Sequence, residues 1–190
     1  MIKKCRFLLL SIFTITLINI FFDIFYAYAF NQDDYIKLIT TNTCQNCDLF
    51  RLDLTNKDLT ASILDNAKLT DTDLTNVDFY FSSLKKVALN ISNLSGANLK
   101  GANLSGANLT GAKFFKANLS RANLSNANLT RAILSDADIS RAIITNANLN
   151  KAIMRKTNLS GSNLIRSDLS GVNLMDANLF CADLHSANLT

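Results

Sequence analysis

Proline, tryptophan and glutamate are absent from this chain, and histidine occurs once, as His185. All 15 acidic side chains are therefore aspartate. A lone histidine near one end offers neither a second metal-ligand pair nor a base poised beside a nucleophile. Insertions are lacking too. No loop interrupts the pattern that starts at Cys47, and loops are where catalytic groups are commonly mounted. The six glycines, Gly96, Gly101, Gly106, Gly111, Gly161 and Gly171, all fall at one phase of that pattern.

What is present is a period of five. From Leu49 to Leu189 every fifth residue is a large apolar side chain, 29 in succession. Such a period leaves no single buried face on a helix, and in a straight strand it alternates sides. A chain that turns once per repeat brings each leucine inside, which predicts an all-β solenoid. With the large residue as centre, strand alternation sends the residue two before it inward as well. That position is mostly alanine. Asn or Asp precedes most centres and Ser or Thr often follows, as polar groups able to bond to backbone at bends. The glycine phase reads as an exposed corner, shared with Asn, Lys and Arg.

The pattern A(D/N)LXX, in runs such as Ser95 to Ala112, resembles the pentapeptide repeat family from Cys47 to Thr190. The resemblance implies a right-handed quadrilateral β-helix with four pentapeptides per coil, hence about seven coils at roughly 4.8 Å each. One internal column would then be Leu49, Leu69, Leu89, Leu109, Leu129, Leu149, Leu169 and Leu189. Phe79 and Phe114 read as local packing variations in other columns rather than a cofactor pocket, and no cofactor is expected.

Residues 1–29 read as a signal peptide. Lys3, Lys4 and Arg6 precede an apolar stretch from Phe7 to Phe22, and Ala27-Tyr28-Ala29 forms a small-x-small cleavage site. An uncleaved anchor is the alternative, and it is the one route to a membrane. Residues 30–46 form an N-terminal cap, in which Asn31 starts a short helix with Asp33 and Asp34 in its first turn. Tyr35, Ile36, Leu38 and Ile39 supply its apolar contacts. Such a helix would cover the open first coil of the 47–190 repeat. At the opposite end, a second copy packing end to end would cover the last coil, giving a C-terminal homodimer. Cys181, at a corner, could link two chains there.

Cys44 and Cys47 form a C-x-x-C at the junction of cap and repeat. A local disulfide, a thiol-exchange site, a zinc site and two unpaired thiols are all open readings. The resemblance adds that exported members often begin with a Cys-x-x-Cys-Asp-Leu entry. On the four-sided reading Asp53 and Asp73 share an outward column, as do Asp58 and Asp78. They are either solvated acids or a cation site. Basic residues gather later: Lys113, Lys116, Arg121, Arg131, Arg141, Lys151, Arg155, Lys156 and Arg166. Arg121 and Arg141 would stack at one corner, Arg131 and Lys151 at the opposite one, forming a belt with no interleaved aromatics. The belt is a candidate site for a protein or an anionic envelope polymer. Nucleic acid is not an expected partner.

The resulting expectation is a non-catalytic, exported interaction or structural module in the bacterial periplasm or outside the cell. In a photosynthetic host the resemblance makes the thylakoid lumen the competing address. The alternatives are an uncharacterised enzyme and a nucleic-acid-mimicking protector of topoisomerases, which some members of the family are. Export and a basic charge, formally +4, speak against the latter.

Overall fold

The computed structural model describes residues 31–190; the signal-peptide expectation lies outside the described residues. The first element, α1, spans Gln32–Thr41. It begins where Asn31 Oδ1 accepts the N–H groups of Asp33 and Asp34, at 3.1 and 3.3 Å. It ends at Asn42, whose left-handed backbone (φ 53°) lets its N–H reach back to the Leu38 carbonyl. Leu38 is fully buried and Tyr35 packs against the core. Ile36 and Ile39 correct the expectation, since they are 46% and 50% exposed. A helix laid across a coil end buries a single stripe.

After α1 the chain winds as a four-sided solenoid. Every parallel bridge pairs residues 20 apart, from Thr43 with Ile63 to Asp168 with Asn188. Twenty residues per turn at a period of five gives four sides, and each side contributes one bridging residue. The strands are minimal because the chain bends again after each centre.

One repeat, Ala97 to Gly101, accounts for all five backbone N–H groups. Ala97 donates to Leu94 O within a tight turn (3.1 Å), Asn98 to Val77 O in the coil before (2.9 Å), and Leu99 to Asn118 O in the coil after (2.7 Å). Gly101 also bonds forward, to Ser120 O at 3.0 Å. The fifth, Lys100 N–H, is taken by the Asn98 side chain at 3.3 Å. That last bond is the physical reason for Asn or Asp before most centres. The turn Leu94–Ala97 needs a positive φ at its third residue, where Gly96 has +70°. Other corners reach the same region without glycine, for example Ala61 at 54° and Arg121 at 60°.

The interior follows the pattern. Centres and the residues two before them are buried through most of the rod, and each buried leucine contributes about 1.5–3 kcal/mol. Most inward Ser and Thr return their hydroxyls to the preceding coil, as Ser82 does to Leu59 O at 2.8 Å and Thr157 to Leu134 O at 2.7 Å, while Ser162 bonds Leu159 O in its own turn at 2.7 Å. Ser62 is buried without a partner because the equivalent place beneath it is occupied by α1 rather than by a coil. The leucine column holds from Leu49 to Leu169. Leu189 is a correction: it is 61% exposed, in the last described coil, which no other described coil covers. Within that coil Val172, Leu174, Leu179 and Leu184 are only partly buried.

Candidate interaction surface

At the cap junction Cys44 and Cys47 are joined as a disulfide, with Cα atoms 5.4 Å apart. Both are inward and buried. Cys44 Sγ lies 3.0 Å from the Asp34 carbonyl oxygen, a close contact rather than a hydrogen bond, because a bonded sulfur carries no proton. The carboxylate of Asp34 lies near both sulfurs, but a disulfide offers no thiolate to a metal. Lys57, at an inward phase of the repeat, is instead exposed. It helps to line a cleft of about 450 Å³ between α1 and the first coil, with Tyr35, Ile39 and Asp58.

The acidic columns are real neighbours: Asp53 bridges Asp73, and Asp58 bridges Asp78. Each carboxylate is engaged by its own turn. Asp73 Oδ1 accepts the Thr75 hydroxyl at 2.6 Å and its N–H at 3.0 Å. The hydroxyl and N–H of Thr55 hold Asp53 below the usual carboxylate range. The N–H and hydroxyl of Thr60 do the same for Asp58, and the Ser170 hydroxyl and N–H, helped by Asn188, for Asp168.

The basic residues behave differently. All three ion pairs among the described residues, Arg51–Asp71, Lys68–Asp48 and Lys85–Asp65, lie in the early coils. Arg121 and Arg141 stand at one corner on successive coils, Arg131 and Lys151 at another, all exposed and none within 4.0 Å of a carboxylate. Glycines lie one coil further on, so that Gly161 Cα faces the Arg141 stem and Gly171 that of Lys151. The expectation that no aromatic group interleaves these charges is corrected. Phe115 is 42% exposed with the Lys116 ammonium 5.1 Å from its ring centre, and Phe180, 75% exposed, shares a shallow cleft with Arg141 and Cys181. Phe81 lies over Gly101 and meets Tyr80 edge to face at 4.5 Å. Reading the sequence in steps of twenty would have put these residues beside the cations.

Pentapeptide repeats match the chain in eight copies, over residues 44–88, 92–131, 122–161, 132–171 and 157–190. Among solved structures, HetL, a pentapeptide repeat protein involved in heterocyst differentiation regulation from the cyanobacterium Nostoc, aligns with a TM-score of 0.56 at 23% identity, covering 84% of this chain and 95% of its own. A pentapeptide repeat protein of the Arabidopsis thaliana thylakoid lumen is 33% identical over 66% of this chain and 70% of its own, with a TM-score of 0.42. QnrB1, a plasmid-mediated fluoroquinolone resistance protein, is 15% identical over 78% of this chain and 90% of its own, at 0.45. No curated protein matches the sequence. The repeats and the likeness to HetL imply a right-handed quadrilateral β-helix.

Proposed function

The chain belongs to the pentapeptide repeat family, and from that premise we propose an exported, non-catalytic module that binds a protein or an anionic envelope polymer along the outside of a rigid rod. One observation carries the reading. Most acids before the centres are engaged by the backbone of their own turns, whereas the cations from Lys113 onward stand exposed without an ion-pair partner among the described residues. Unpaired cations on a stiff surface are available to a partner, and complementary charge steers and orients its approach. Export is supported by the N-terminal sequence and by the Cys44–Cys47 disulfide, a bond that persists in oxidising compartments. The periplasm or the exterior is the proposed location, with the thylakoid lumen as its counterpart in a photosynthetic host. Duplex mimicry would need an acidic surface along the whole rod, whereas here the acids gather in the early coils and cations take over from Lys113.

Cross-linked affinity capture from the envelope fraction tests the reading, with a copy carrying Arg121, Arg131, Arg141 and Lys151 changed to serine alongside. A partner captured reproducibly and lost with the four substitutions is expected. Equal capture by both proteins would remove the cations from the mechanism. N-terminal sequencing of the exported protein is expected to begin at Phe30, and an intact Met1 would place it on an anchor instead.

A second copy covering the last described coil is a further part of the proposal. The N–H groups of Leu174, Leu179, Leu184 and Leu189 have no acceptor there, and Met175, Phe180 and Leu189 are exposed. A sheet edge of this kind is a template for pairing. Light scattering is expected to give a dimer, and a monomer at every concentration would exclude it.

A further inference from the structure

The outward column that starts at Asp53 departs from the repeat in three successive coils. It runs Asp53, Asp73, Asn93, Lys113, Ile133, Ile153 and Asn173, with each pair bridged in parallel. Asn or Asp at this phase accepts the N–H two residues on, as Asn93 does from Ser95 at 3.2 Å. Lys113, Ile133 and Ile153 cannot. The N–H groups of Phe115, Ser135 and Arg155 accordingly have no acceptor among the described residues. Ile153 is also 39% exposed, so the column gives up turn hydrogen bonds and leaves apolar surface in water. Stacking of the two isoleucines recovers part of this, but any β-branched pair on any face would do as much. Nothing inside the fold asks for isoleucine here.

The surroundings say what the face suits. Arg131 and Lys151 stand along one edge and Lys116, Arg155 and Lys156 along the other, with Phe115 exposed beside them. Between residues 111 and 156 on this face and its two edges the single acid is Asp136. Long cationic side chains therefore flank the two isoleucines, with Lys113 in the same column. A partner lying on that face needs carboxylates toward its margins and apolar side chains over Ile133 and Ile153. The charge reverses along the same face, where Asp53 and Asp73 stand before Lys113. They lie two or more coils away, beyond about one Debye length at physiological salt, so a partner of limited length avoids them while a uniformly anionic plane meets both ends.

We propose that the face carrying Lys113, Ile133 and Ile153 is the docking surface for an acidic polypeptide segment with an apolar side. The proposal rests on the interaction-module reading above and adds its surface and the chemistry of its partner.

The test is a random dodecapeptide phage library panned on the full chain, with the I133N/I153N variant in parallel. These substitutions return the column to the repeat's own residue, so Tm is expected to stay level or rise by about 2–4 °C for each turn bond regained. Enriched peptides are expected to combine Asp or Glu with apolar residues and to bind the variant about tenfold or more weakly. A marked fall in the variant's Tm would show that the isoleucines serve packing and would overturn the proposal. So would enrichment without acids, no enrichment, or equal binding to the variant. Flotation with phosphatidylglycerol vesicles is expected to show no binding that depends on Ile133 and Ile153. If it does, the partner is a lipid surface and the proposal falls. An envelope partner whose capture survives I133N/I153N would overturn the face while leaving the module reading intact.

Discussion

Asp34 and Asp48 are joined by a 2.7 Å hydrogen bond, in which the backbone N–H of Asp48 donates to the Asp34 carboxylate. The bond ties the second turn-forming acid of α1 to the first coil, beside the buried disulfide. Asp34→Ala leaves that N–H without its charged acceptor and is expected to lower unfolding free energy by about 1.5–3 kcal/mol in urea titrations. Asp34→Asn keeps an acceptor and should recover more than half. Equal loss in both variants would assign the effect to charge at the helix start instead.

The Cys44–Cys47 bond closes a short loop, since the two residues are 3 apart in sequence. Chain-entropy arguments then give about 2 kcal/mol, less than a long loop would. Reduction, or C44A/C47A, is expected to lower Tm by about 4–8 °C while the rod keeps its circular dichroism. Complete unfolding on reduction would mean that the cap nucleates every coil.

Leu129 and Leu189 occupy the same column, yet one is fully buried and the other 61% exposed. Leu129→Asp places an unpaired charge in the core and is expected to abolish cooperative thermal unfolding. Leu189→Asp should leave the transition in place. A cooperative transition in the first variant would contradict the inward assignment.

Asp53, Asp58 and Asp168 have carboxyls held below their ordinary range by Thr55, Thr60 and Ser170. Because the folded pKa lies below the unfolded one, the stabilisation is complete above the unfolded value near pH 4. It is lost as pH falls through the folded value. Tm is expected to be flat from pH 7 to about pH 5 and to decline below about pH 4. In D53N/D58N/D168N the acid decline should shrink. An unchanged decline would move its origin to other aspartates.

A Cβ added to Gly101 would stand 2.8 Å from the Phe81 ring, at a φ of +70°. Gly101→Ala is expected to cost about 1–3 kcal/mol, part steric and part conformational. Phe81 is 60% exposed and can be removed cheaply, so F81A/G101A should regain the steric part. Additive losses would show that the ring is not what the methyl meets.

The five-residue period by itself determined that the chain must coil, which two residues of each repeat face inward, and why Asn or Asp precedes the centre. These are local matters of strand alternation and of one backbone N–H per repeat. Asn31, with Asp33 and Asp34, likewise marked the start of α1 through capping chemistry confined to a single turn. Tertiary structure alone decided the rest, because it depends on what lies one coil away. The 20-residue register, implied by the resemblance and set by the parallel bridges, put Lys113, Ile133 and Ile153 on one face, while the fold placed Phe115 in solvent against Lys116. Packing at the two ends decided that Ile39 and Leu189 meet solvent and that Ser62 lacks the carbonyl its counterparts use. A repeat specifies its own interior; the residues beyond the last stacked coil, and the outward positions free to depart from the rule, take their surroundings from the assembled rod.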